Sequence, residues 1–128
     1  MKPAADVIAT EQAPKAIGPY SPAVGVGDLV FLSGQIPLDP ATGAIVEGEF
    51  AVQAQRVLDN IDAVLRAAGC RRDQVVKATV YLTDLTRFTE FNQLYGAFFG
   101  EHRPARAVVG VAALPRGATV EVEAVAVR

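Results

Sequence analysis

The chain has 128 residues at 13.5 kDa, the length of one ordinary domain over 1–128 that buries roughly two-thirds of its unfolded surface. Lys+Arg 12 against Asp+Glu 14 leaves a net charge of -2, which excludes a generally basic nucleic-acid binder. Cys70 is the single cysteine and His102 the single histidine, so an internal disulfide and a zinc cage are excluded too.

Residues 1–22 begin Met1-Lys2-Pro3-Ala4-Ala5-Asp6, without the apolar core of a signal peptide. No apolar run approaches membrane-spanning length anywhere in the chain, so a cytoplasmic globular protein is expected. Pro14, Pro19 and Pro22 prevent a long helix in this first stretch. Val24-Gly25-Val26 and Leu29-Val30-Phe31-Leu32 flank Gly27-Asp28 and predict a hairpin with a tight turn. Pro37, Asp39-Pro40 and Thr42-Gly43 mark a loop, followed by a short edge strand at Ala44–Val46.

From about Phe50 to Ala68 the period changes. Ala54, Val57, Leu58, Ile61, Val64, Leu65 and Ala68 recur at three- and four-residue steps, which puts one apolar stripe on a helix, and Gly69 follows as its left-handed cap. Val75–Leu82 is β-branched and of strand length. Asp84 or Thr86 N-caps a second helix with the stripe Phe88, Phe91, Leu94, Tyr95, Phe98, ended by His102-Arg103-Pro104. Strands are predicted at Ala107–Ala112 and Thr119–Val127. In the latter, Val120, Val122, Ala124 and Ala126 alternate with Glu121, Glu123, Val125 and Val127. The order is β-hairpin, helix, strand, helix, two strands: an α+β two-layer sandwich with both helices on one sheet face.

The bare second face bears on composition. Apolar residues make up 51% of the chain and charged ones only 20%. Either a second copy covers apolar side chains such as Val125 and Val127, or the surplus reflects an Ala/Val-rich bias.

Familiar catalytic devices are missing: no glycine-rich phosphate loop, no nucleophile elbow around Ser33. His102 reads as an exposed helix-end residue, and Cys70, just past a helix C-terminus, as inert. Four polar features remain. Arg106 precedes the apolar run Val108–Val111, where a guanidinium suits either a strand-edge ion pair or a carboxylate held bidentately. Glu121 has apolar neighbours on both sides, or else sits in solvent. Tyr20 lies between prolines, and Ser33-Gly34 presents a hydroxyl and an accessible backbone N–H.

Six stretches in order together resemble the RidA (YjgF-type) reactive intermediate/imine deaminase family. They are Ala16–Ala23, Leu32–Pro37, Gln55–Gly69, Val76–Leu85, Phe91–Phe99, and Pro104-Ala105-Arg106 through Leu114-Pro115 to Val120–Ala124. The resemblance implies a chorismate-mutase-like fold assembled as a homotrimer, with clefts between subunits and neither cofactor nor metal. It also implies hydrolysis of enamine/imine intermediates of the 2-aminoacrylate and 2-aminocrotonate type to 2-keto acids and ammonia. By position, Arg106 would grip the substrate carboxylate and Glu121 would hold the attacking water. Tyr20, Ser33 and Gly34 would line the pocket, with Asn92 and Tyr95 nearby and the Val108 backbone within reach of a bound water.

Two positions depart from the family. Val108 stands where many members carry cysteine, which removes any thiol role, and Gly110 replaces an acidic residue found in some. Two other functions fit the same resemblance: a carboxylate-binding regulatory trimer without turnover, and an RNA-acting translation inhibitor, which the acidic charge disfavours.

Overall fold

A computed structural model describes residues 5–128, so the start of the expected leaderless terminus, Met1–Ala4, lies outside the described residues. Six strands form one sheet: β1 (Asp6–Ile8), β2 (Ala23–Val26), β3 (Leu29–Gln35), β4 (Val75–Leu82), β5 (Ala105–Gly110) and β6 (Val120–Val127). Their spatial order is β1-β2-β3-β6-β4-β5. All neighbours are antiparallel except β4 and β5. A parallel pair needs a crossover, and helix α2 (Phe88–Phe99) supplies it. Helix α1 (Phe50–Ala67) connects the first three strands to β4.

The alternation along β6 decides which face is which. Val120, Val122, Ala124 and Ala126 are buried with Val30 and Leu32 of β3 and with Ala78, Val80 and Leu82 of β4. The apolar stripe of α1 and Phe91, Tyr95 and Phe98 of α2 pack onto this face. A fully buried ring such as Phe91 is worth about 3–5 kcal/mol against alanine. Gly69 takes φ +74°, the left-handed turn that ends α1 after its last apolar row. Among the described residues no helix is long and apolar enough to cross a membrane.

The opposite face carries no helix. Leu29 pairs with Val127 and Phe31 with Val125 across β3 and β6. Phe31 remains 46% exposed there and Val127 37%. Part of the apolar surplus in the composition thus lies on this sheet face, while Val52, Leu85 and Phe88 are exposed elsewhere.

Several expected boundaries move. Strand β1 was not foreseen; it is three residues long and tied by an ion pair of 2.7 Å from Arg128 to Asp6, a contact no local periodicity reveals. Ala44–Val46 is not a strand: only one bridge forms, Leu38 to Ile45, because the tight turn Asp39–Gly43 closes too soon for a ladder. The helix after Asp84 begins later than expected. The Asp84 carboxylate accepts from the Thr86 N–H, yet the turn it caps is a 3-10 turn over Leu85–Arg87. Gly100, at φ +65°, ends α2 before His102-Arg103-Pro104 is reached. Finally, the parallel ladder starts at Lys77 opposite Ala105, so Arg106 lies inside β5 rather than before it.

Candidate functional site: two half-sites on opposite faces of one sheet

Arg106 pairs with Ala78, a core residue, so its side chain starts on the helix face. One guanidinium nitrogen donates to the Asn92 Oδ1 at 2.8 Å. The guanidinium carbon lies 4.8 Å from the Tyr95 ring centre and 5.6 Å from that of Phe88. Among the described residues no carboxylate forms an ion pair with Arg106, so the strand-edge ion pair is not what holds it. A neutral amide and two ring faces fix its orientation and leave its positive charge uncompensated. The surrounding hollow also includes Arg103, Gly96 and Pro104.

Tyr95 and Val108 contribute differently from the expectation. The Tyr95 hydroxyl is buried without a partner, and burial pushes the phenol up although Arg106 and Arg103 pull the other way. What Tyr95 offers Arg106 is its ring face. Val108 packs against the core from β5. At Gly110 an added Cβ would come within 2.8 Å of Leu85, so the acidic residue of some relatives has no room here without a shift of that side chain.

Glu121 belongs to the other face. It alternates with Val120 and Val122, and it lines a hollow with Tyr20, Ser33, Gly34, Ile36 and Pro115. The β3–β6 register slips between Leu32 and Gln35, which puts one extra residue on β3 at Ser33-Gly34, a β-bulge. There the Glu121 carboxylate lies directly over Gly34, on the spot a Cβ would occupy. Only glycine admits the carboxylate so close to the backbone. Burial raises the proton affinity of Glu121, and the charge of Glu123 adds to it.

The loop ahead of β2 closes this hollow. The Ser33 hydroxyl donates to the Ser21 carbonyl at 2.6 Å and its N–H to the Pro22 carbonyl at 2.9 Å. Tyr20 accepts from the Ile17 N–H through its phenol oxygen at 3.2 Å. From the helix side, the fully buried Asn60 donates to the carbonyls of Ile36 and Leu38 and anchors the chain just beyond the bulge.

The residues singled out from sequence therefore fall into two sets. Arg106, Asn92, Tyr95 and Val108 sit on the helix side of the edge strand. Tyr20, Ser33, Gly34 and Glu121 sit on the bare side, Glu121 two strands further in and Ser33-Gly34 three. One set is cationic and the other acidic. Glu123 and Tyr81 were missed, although the period-two pattern of β6 already places Glu121 and Glu123 side by side. His102 is not an exposed helix end: it is half-buried, and its Nε2 lies 2.6 Å from the Val75 carbonyl. Cys70 is buried, which pushes its thiol up, in keeping with an inert residue. Among the described residues no group of three His, Cys, Asp or Glu is placed to hold a metal ion.

A six-stranded mixed sheet with two helices on one face, and polar half-sites split between the faces, defines the class. Residues 10–128 match the family model described as Endoribonuclease L-PSP, and the chain belongs to this YjgF/RidA family. A RutC family protein from Pyrococcus abyssi is 51% identical over 123 residues, covering 96% of this chain and 97% of its own. A Salmonella typhimurium protein named 2-iminobutanoate/2-iminopropanoate deaminase is 49% identical, covering 94% of this chain and 96% of its own. Among solved structures, E. coli TdcF with bound serine superposes with a TM-score of 0.91 at 44% identity, covering 96% of this chain and 98% of that one.

Proposed function

We propose that the protein hydrolyses small enamine/imine carboxylates to 2-keto acids and ammonia, at sites shared between copies of the chain in a homotrimer. The observation that carries this reading is the Arg106 guanidinium, oriented by Asn92 and two aromatic rings yet lacking a carboxylate of its own. The deaminase relatives support it, as does TdcF, whose bound serine has the same α-carboxylate next to a nitrogen-bearing carbon.

Arg106 and Glu121 cannot meet within one protomer, because the sheet separates them. A second copy laid against the bare face, with its cationic edge toward the acidic hollow, would bring them together and cover Phe31 and Val125 as well. In such a site Arg106 grips the substrate carboxylate with its free N–H edge, a contact worth roughly 1.5–3 kcal/mol. Glu121 holds a water and, protonated at rest, gives its proton to the imine nitrogen as the water oxygen bonds to the imine carbon. It then takes a proton back from that oxygen, and a second such exchange lets the tetrahedral intermediate release ammonia as the carbonyl forms. A conjugated imine hydrolyses unaided, so orientation and one well-placed proton suffice.

Coupling the purified protein to a serine or threonine dehydratase and following keto-acid release tests the reading. Arg106→Ala is expected to lower kcat/KM by about 10- to 100-fold. Refolding Arg106→Ala together with Glu121→Gln should restore about a quarter of the sites, since chance pairing of neighbours supplies one intact arginine and one intact glutamate that often. An unchanged keto-acid rate, or an Arg106→Ala variant equal to wild type, overturns the proposal. Tight 2-keto acid binding without turnover would favour the regulatory trimer, and salt-sensitive RNA cleavage that survives loss of Arg106 would favour the nucleic-acid reading.

A further inference from the structure

The hollow beside Glu121 contains a second carboxylate that the reaction above leaves unused. Glu123 lies two residues further along β6, on the same face, and lines the same hollow. Its cross-strand partner is Thr79, but its Oε1 instead accepts a 2.7 Å hydrogen bond from the Tyr81 hydroxyl. Tyr81 stands directly opposite Glu121 in the β4–β6 ladder. The bond therefore runs diagonally and tethers Glu123 to the residue that faces Glu121.

On the reading that Glu121 is the acid–base group, we propose that Glu123 is a positioning residue acting through it: held by Tyr81, its charge keeps the proton on Glu121 until the substrate takes it. Two carboxylates that share one hollow ionise less readily than either alone. Burial and Glu123 both push Glu121 up, while the bond to Glu123 pushes the Tyr81 phenol up, so that Tyr81 stays a donor. The other groups that face the pair are few. β4 brings Lys77, which shares a second hollow with Glu123 but makes no ion pair with either glutamate among the described residues. The loop before β2 brings Tyr20, and β3 brings only Phe31 and Ser33. Among the described residues of one protomer only Lys77 on this face opposes the charge of Glu123, and in the proposed assembly the Arg106 of a neighbouring copy joins it in both the wild type and the variants.

Carbon-13 NMR titration of the glutamate carboxyls tests the inference without relying on turnover, with Glu121 assigned by its loss in Glu121→Gln. Glu123→Gln is expected to lower the Glu121 midpoint by about half to one pH unit. Tyr81→Phe should lower it less, because the second carboxylate remains but loses its tether. In the coupled assay the fall of kcat/KM at rising pH should move to lower pH in Glu123→Gln, a shift that a merely structural role would not produce. An unmoved Glu121 midpoint in a folded Glu123→Gln protein overturns the inference. If the midpoint moves but the wild type turns over no imine, the coupling stands and the deaminase reading falls.

Discussion

The two faces of this sheet are built from the same strands and do opposite things. Val30 and Phe31 are adjacent in β3; one is fully buried beneath the helices and the other lies 46% exposed on the bare side. The helix face is apolar nearly throughout, and the Arg106 guanidinium emerges only at the edge strand β5. The bare face mixes Leu29, Phe31 and Val125 with two glutamates, a tyrosine and a bulge. One face stabilises the protomer, and the other is the surface that a further copy covers in the proposed assembly. The proposed chemistry would sit on the seam between those roles, where a residue from each face has something the other lacks.

Substitutions of the two neighbours should break that contrast most visibly. Val30→Asp buries an unpaired charge among α1 and β6 and is expected to abolish folding, seen as loss of the far-UV circular dichroism. Phe31→Asp should leave the fold intact and yield a monomer by light scattering, with activity lost because no half-site finds its complement. A folded, fully assembled Phe31→Asp protein would show that the bare face is not the contact. A smaller effect is expected at the bulge. Gly34→Ala displaces only the flexible end of Glu121, so the melting temperature should change by no more than a few degrees while kcat/KM falls about tenfold or more.

The smallest effect is on stability alone. Glu121 binds its proton more tightly in the folded chain than in the unfolded one. The folded state thus loses stability as pH rises from the ordinary carboxyl value, about 4.3, through the raised folded value. Glu121→Gln should therefore melt slightly higher than wild type at pH 7, with the gain gone below about pH 4. Equal melting at both pH values would mean that the hollow is as well solvated as open water.

Much of this fold was legible because its signals are local. The three- and four-residue stripe of α1 and the unbroken β-branched run of β4 are found where periodicity puts them. Strand β1 was not legible, since three residues carry no period and their tether comes from Arg128 at the other end of the chain. Arg106 and Glu121 were conspicuous as charges beside apolar runs, and the family resemblance drew them together. That they point through opposite faces was hidden, because it depends on which residues of β5 and β6 align with β4. Glu123 was readable from alternation alone, but its role depends on a hydroxyl 42 residues away.

The extra residue at Ser33-Gly34 has a consequence for how such a chain can change over generations. Because the register slips there by one, Gln35 still points inward after Leu32 does. Deleting either residue would leave a regular ladder with Gln35 still opposite Val122 but would remove the bulge that seats the Glu121 carboxylate over Gly34, whereas exchanging Ser33 for another small residue would keep it. Lineages can therefore drift in spelling at this corner while remaining locked in count, and a gap in it would mark a descendant that has abandoned the carboxylate beneath.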